Sequence, residues 1–394
     1  MAPFRGTSLL GRVGFWQGRR LDERLLRELS SDPVQTPQTS LGFWWLLGMS
    51  LIVVVLDLAC LVAAVWVWVE TPWPKGVQLV VSLGLLGLAV GLLPTPMRAP
   101  KAGRIPDGQG TRLRGLVDEV AAAVGAETPD LIVIDLSVNA AVARYGWRQQ
   151  TLLIIGAPLW AMLTPAGRLA VLAHELGHIV NKDPMRSVLT FPARSFGARA
   201  IAATGGRNPW ARALAGTDRA AWSGAGLGGV LVHGSLALIN TFGATIQLLV
   251  DSVAMPDSRR AEYLADLKAR QVAGSEAFIA SSERLLLSDG ILQDLWDLAP
   301  RLEAHELPQA IETSARRQAK DLMKHRQATL RSTDLWSTHP AEGDRMTLVE
   351  ALPQLPASLH VSGETWDAID AEMSAWYAHL HRKLLGTRDR IAAS

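Results

Sequence analysis

From Phe43 to Val69 the chain carries a single charge, Asp57, and this run exceeds the roughly 20 residues that an α-helix needs to cross the core of a bilayer. It is expected to form an uncleaved transmembrane helix. Trp44 and Trp45 stand at its start, and Trp66, Trp68 and Trp73 at its end, the positions where indole rings settle at the two headgroup interfaces. After a short turn from Glu70 to Lys75, residues 76–93 are again apolar and stop at Pro94, so a transmembrane helical hairpin is expected over residues 43–95. The lead of 42 residues is polar and basic, with Arg5, Arg12, Arg19, Arg20, Arg24 and Arg27, and is longer than a cleaved signal peptide requires. Arginines flank the hairpin on both sides, whereas its turn holds only Lys75. Both ends are therefore expected in the cytoplasm. Asp57 is costly inside a membrane unless it faces protein or water, and a buried hydrogen bond to another helix accounts for it more simply than a proton or substrate pathway.

Hydrophobic residues make up 48% and charged residues 19% of the 394, a balance too apolar for a wholly soluble protein. Lys plus Arg number 39 against 37 Asp plus Glu, a net charge of +2, which provides no basic surface extensive enough for nucleic acid. The lone cysteine, Cys60, excludes an intramolecular disulfide framework and a cysteine-built zinc site. Any metal must be held by histidines and carboxylates.

Beyond the hairpin, Thr111–Ala126 has helical spacing. Leu131–Leu136, Ala140–Tyr145 and Thr151–Ile155 have the composition of short strands, predicting a small antiparallel sheet. A helix opens at Pro165 behind Thr164 as N-cap and runs to about Asn181. A second long apolar stretch, Leu227–Val250, carries His233, Asn240 and Gln247 seven residues apart, hence on one helical stripe. Polar contacts between helices explain that stripe more simply than a substrate path. Its partner segment, Met185–Ala203, is interrupted by Arg194 and Arg199, each costing about 2.5–3.5 kcal/mol at mid-bilayer. Residues 185–250 thus form either a second spanning hairpin or a partly buried, cytoplasm-facing one. The expected organisation is a basic arm over 1–42, the hairpin over 43–95, a main domain over 96–350 with the membrane-associated insertion at about 185–250, and a C-terminal helical region over 351–394.

The chemistry lies in the helix after Pro165, where His174-Glu175-Leu176-Gly177-His178 stands. Two histidines at i and i+4 project from one face and can reach one zinc ion, while the glutamate beside the first is placed to act as a base. Downstream, Glu262 and Asp266 are likewise i and i+4 on an expected helix. Glu262 is a candidate third ligand, and Asp266 a carboxylate able to orient a ligand imidazole. The other reading of that pair, a solvated acidic face balanced by Arg259, Arg260 and Lys268, loses weight once the first motif is considered.

In these motifs, in Asn181 and Asp183 after the second histidine, in Ser258 ahead of Glu262, and in Thr338-His339-Pro340 with Arg345 beyond, the chain resembles the membrane zinc metallopeptidases of the HtpX type, relatives of the CAAX prenyl proteases. The similarity covers about residues 40–350. It implies a mainly α membrane protein of gluzincin type with one Zn²⁺ per chain on His174, His178 and Glu262, Glu175 as general base, and His339 near the active site, helping to bind substrate or the tetrahedral oxyanion. It also implies that Asn139, Ala140 and the following strand hold substrate backbone by strand addition. The long arm and the weak third crossing depart from that pattern.

The expected activity is a membrane-bound zinc metalloendopeptidase acting on membrane proteins or peptides, embedded in the cell membrane with several crossings and its catalytic domain in the cytoplasm. Two alternatives are a narrow-specificity protease that matures a precursor peptide, and a non-catalytic membrane scaffold with a structural zinc site. Glu175 argues against the scaffold, because a structural site closes its fourth position with a protein ligand and has no use for a base. Prenylated-peptide cleavage fits less well, since too few crossings are evident for a large membrane chamber.

Overall fold

The computed structural model describes residues 9–31, 40–92, 97–106, 108–181, 183–203, 227–331 and 339–392. In chain order the helices are α1 (Leu9–Ser31), α2 (Leu41–Glu70), α3 (Lys75–Leu92), α4 (Thr111–Val124), α5 (Ala157–Met162), α6 (Pro165–Val180), α7 (Asp183–Ala203), α8 (Leu227–Ala273), α9 (Ser275–Leu286), α10 (Ser288–Leu298), α11 (Leu307–Gln318), α12 (Leu322–Arg331), α13 (Glu342–Ala351) and α14 (Gly363–Ala392). Between α4 and α5 lie strands β1 (Leu131–Asp135), β2 (Ala140–Tyr145) and β3 (Gln150–Gly156). The chain divides into two compact units. One is made of residues 1–37, 96–184 and 258–394, the other of residues 38–95 and 185–257.

In the first unit the strands fall where their composition placed them, but the sheet is mixed, not antiparallel. The order is β1-β3-β2, with β3 parallel to β1 and antiparallel to β2. The hairpin β2–β3 is local, whereas Leu131 pairs with Leu152 and Asp135 with Gly156 only because β2 takes the outer position and β3 returns between β1 and β2. Three similar apolar runs do not encode that order. Leu113, Leu116, Val117 and Val120 of α4 pack with Ile132, Ile134, Leu153 and Ile155 of the sheet and Leu169, Leu172 and Leu176 of α6. Residues 351–394, set apart by the sequence reading, supply α14, whose Trp366, Ile369, Met373 and Tyr377 are buried in that same core. Arg168 of α6 donates to Asp370 of α14 at 2.8 Å and lies over the rings of Trp160 and Trp366.

The arm before the apolar run is likewise more than a polar lead. It forms α1, with Leu21, Leu25 and Leu29 buried along one stripe, in the unit that holds the metal motifs. Six arginines conceal this stripe in the composition, yet leucines one turn apart suffice to dock a helix whose other faces stay polar.

The second unit contains the apolar run. Ser40 caps α2, accepting from the amide of Phe43, and α2 and α3 pack antiparallel: Ser82 Oγ donates to the Ala64 carbonyl and Gln78 Nε2 to the Thr71 carbonyl, at 2.9 and 2.6 Å. Among the described residues only α2 is long and apolar enough to cross a membrane, with a mean hydropathy of 2.7. The expected second arm, α3, has 18 residues. At 1.5 Å per residue it extends about 27 Å, short of a hydrocarbon core of about 30 Å. Leu51, Ile52, Val55, Leu56, Val62 and Val65 of α2 and Leu79, Val80, Leu83 and Val90 of α3 are exposed, forming an apolar exterior of the kind that marks a protein or membrane contact surface.

Asp57 is turned into this unit, 4% exposed. One of its oxygens, Oδ1, lacks a hydrogen-bond partner, and Arg199 of α7 lies near enough to interact with it electrostatically. The arginine that weakens Met185–Ala203 as an apolar segment thus has an opposite charge waiting for it, which the residue count alone could not reveal. At Gly197 a Cβ would stand 2.5 Å from the Gly243 carbonyl, so α7 and α8 approach at backbone contact. On α8, Gln247 donates to Asp251 at 2.9 Å, while the side chains of His233 and Asn240 lie outside the described residues. The apolar stretch from Leu227 does not end before the second metal motif: α8 continues through Pro256 to Ala273.

Candidate metal centre

Thr164 caps α6, accepting from the Gly167 amide at 3.2 Å, and Pro165 occupies its first turn, as the sequence predicts. Leu169, Leu172 and Leu176 commit one face to the core, which turns His174 and His178 together toward α8. Gly177 makes the approach possible. A Cβ there would stand 3.3 Å from Ala265 Cα and 3.4 Å from Lys268 Cβ, so any larger residue would push away the helix that carries Glu262.

The histidines meet through Nε2 atoms 3.3 Å apart. Glu262 places Oε2 3.5 Å from His174 Nε2 and Oε1 3.7 Å from His178 Nε2. Tetrahedral zinc with bonds of about 2.05 Å holds its ligand atoms about 3.3 Å from one another, so these three donors suit that ion in both kind and spacing. Among the described residues theirs is the set of donors gathered closely enough to hold a metal. On the far side of the ring, Asp266 Oδ1 lies 2.8 Å from His174 Nδ1. This contact fixes the Nδ1–H tautomer and leaves Nε2 available for metal.

Arg345 organises the layer behind the ligands. Its Nε and Nη2 reach Asp266 at 2.9 and 2.5 Å, and Nη1 donates to Glu342 at 2.5 Å. Asp266 is fully buried and Arg345 nearly so. Arg345 stays charged: burial opposes its proton, but Asp266 and Glu342 raise its pKa far above the ordinary arginine range. The family resemblance includes Arg345, but nothing in the sequence assigns its role, because Asp266 is distant along the chain and an i, i+3 pair with Glu342 resembles an ordinary surface contact. Asn181 is buried, with Nδ2 3.4 Å from the Ala261 carbonyl. Thr338 falls outside the described residues.

His339 is brought to the site, its Nδ1 2.7 Å from Glu262 Oε2. That hydrogen bond raises its pKa, against the opposing effect of burial. Glu175, buried at 8% exposure, lines a cavity of about 250 Å³ together with His174, His339, Asn139 and Ala140. Sequence reasoning missed the rest of the wall, which includes Val138, Leu159, Val171 and, from α9, Phe278, Ser281, Ser282 and Leu285. The buried face of α9 is mostly serine, Ser275, Ser281 and Ser282 beside Phe278, and no spacing motif in so short a helix marks it as the border of a site. Strand β2 is an edge strand, with β3 as its neighbour, and Asn139 at its start is held by the Gly156 amide, which donates to its carbonyl at 2.8 Å.

Without metal, burial and the Arg345 charge lower the pKa of His174, but hydrogen bonds to Asp266 and Glu262 outweigh them and lift it to about 10. Glu262 is held well below its ordinary value; burial opposes this, and His174 and His339 prevail. In the metal-free protein the histidine's stabilisation is complete below 6.5 and fades as pH rises toward about 10, and the glutamate's is present above 4.5 and fades as pH falls. Metal must displace the histidine proton, so loading favours higher pH. We expect metal-stripped protein to melt highest between about pH 4.5 and 6.5 and the gap between zinc-loaded and stripped protein to widen from pH 6 to 8. Melting curves across that range, with and without zinc, check this.

The profile of Peptidase family M48 matches residues 108–352, well over half of the chain. No curated protein and no solved structure matches it. The matched span runs from the start of α4 to the end of α13 and includes both helices that supply the three donor side chains, and the chain belongs to Peptidase family M48, the zinc metalloproteases, hydrolases of peptide bonds.

Proposed function

We propose that this protein is a membrane-anchored zinc metalloendopeptidase in which His174, His178 and Glu262 hold the ion and Glu175 is the general base. The observation that carries the reading is the convergence of three donors within 4.8 Å of one another beside a cleft that Glu175 lines. When bound there, zinc would supply Lewis acidity, polarising a carbonyl and lowering the pKa of water from 15.7 toward about 7. Glu175 takes the proton from the attacking water and returns it to the leaving amine. Asp266 holds the His174 tautomer, Arg345 holds Asp266, and His339, tethered to Glu262, borders the space where the tetrahedral oxyanion develops. An extended substrate adds beside β2 at Asn139 and Ala140, its backbone supplying hydrogen bonds along the strand edge, while the apolar wall of Val138, Leu159, Phe278 and Leu285 receives an apolar side chain.

Membrane placement rests on α2 and on the apolar exterior that it shares with α3. We infer that the two act as the anchor, with the arginines on either side of the hairpin keeping the catalytic unit cytoplasmic. Substrates would then be membrane proteins, their exposed loops, or hydrophobic peptides. Detergent-purified protein should cleave an unfolded model protein, lose that activity on chelation, and regain it with stoichiometric zinc. Cleavage that survives chelation would assign the activity elsewhere. Peptide profiling on a membrane-protein mixture separates broad quality control from maturation of one precursor: many cleavage sites favour the first, one or a few the second.

A further inference from the structure

We propose that α1 is a positioning element for the metal ligand Glu262, acting through a buried ion pair between Asp22 and Arg259. The inference rests on the ligand reading given above. Asp22 is 1% exposed and Arg259 is fully buried. The Arg259 guanidinium donates to Asp22 Oδ2, and the hydroxyl of the buried Tyr263 lies 3.4 Å from Asp22 Oδ1. On α8, Arg259 stands one turn before Glu262 and Tyr263 and two turns before Asp266. The grip therefore falls on the very turns that present the ligand and the carboxylate orienting His174.

Two further contacts widen the grip. Arg260 donates to Glu28 at 2.9 Å, and Arg19 Nη1 lies 3.6 Å from Asp344 Oδ1, next to the Arg345 that clamps Asp266. Thus α1 touches two of the three helices that assemble the site, α8 and α13, through residues that flank the ligand and its supports. A buried ion pair adds little net stability over an apolar pair of similar volume, but its directional bonds can fix the rotation of one helix against another. A small rotation of α8 about its axis would carry Glu262 away from His174 and His178. The leucines Leu21, Leu25 and Leu29 dock α1, and Asp22 sets its register.

The test is the zinc affinity of the full-length, detergent-purified protein, measured by competition with a chromophoric chelator well below the melting temperature. Asp22→Asn, nearly isosteric, should weaken zinc binding about tenfold, the lower end of what substitutions behind a ligand cost, while one zinc per chain still binds at saturation. The charge-swapped double variant Asp22→Arg/Arg259→Asp should bind more tightly than Asp22→Asn. Wild-type affinity in Asp22→Asn, even with a lowered melting temperature, would overturn the proposal and leave α1 a role in the fold alone. Should Asp22→Asn fail to fold, Tyr263→Phe removes only the hydroxyl and should weaken binding about threefold, and an unchanged affinity there overturns it equally. Glu262→Gln, run alongside, separates the two layers: zinc loss in it with unchanged binding in the α1 variants defeats this inference alone, whereas wild-type binding in Glu262→Gln defeats the ligand assignment and the proposal with it.

Discussion

Glu175→Gln should retain one zinc per chain and lose between about 10²- and 10⁴-fold in peptide-bond cleavage, the usual contribution of a positioned general base. The substitution keeps the shape of the side chain and leaves the donors His174, His178 and Glu262 in place, so metal content is the internal control. Glu175 is buried on the cavity wall, so the substitution is confined to the cavity side of α6. Metal analysis and cleavage of an unfolded protein, on variant and wild type side by side, decide the matter. Zinc retained with cleavage undiminished would move the base to another group, with His339 the first to examine. Zinc lost from the variant would mean that Glu175 supports the ion. His174→Ala and Glu262→Ala should by contrast lose both metal and cleavage.

Arg345→Gln is expected to have the largest effect on stability. It leaves Asp266, which is fully buried, with His174 as its remaining partner, and removes the partner of Glu342. Breaking a buried pair by deleting one member costs about 3–5 kcal/mol, which for a unit of this size corresponds to a fall in melting temperature on the order of 10 °C. Zinc affinity should fall about 10- to 100-fold as well, because Asp266 holds the His174 tautomer. Arg345→Lys should recover little, since a lysine is a single point donor and cannot reproduce the fork that spans both Asp266 oxygens and Glu342. Calorimetric melting and chelator competition measure the two effects separately. A melting temperature within a degree or two of wild type would show that His174 alone satisfies Asp266.

Sequence and tertiary structure contributed differently at each level. Periodicity and composition determine α2, α4, α6 and the three strands, because apolar patterning and capping by Thr164 are local facts. The His174/His178 and Glu262/Asp266 pairs are legible for the same reason: a helix places i and i+4 on one face whatever surrounds it. The charge asymmetry around the apolar hairpin is equally local. What the sequence by itself did not determine is everything that depends on which distant segments meet. The mixed sheet order follows from a crossover that three similar apolar runs do not specify. The burial of α1 needs Arg259 and Tyr263, more than 200 residues downstream, to satisfy Asp22. Arg199 is tolerable in α7 because Asp57 faces it, and Arg345 becomes the keystone of the metal centre only when α13 lies against α8. Local spacing decides which side chains share a face; the free energy of burying a charge depends on partners that only the assembled fold brings within reach.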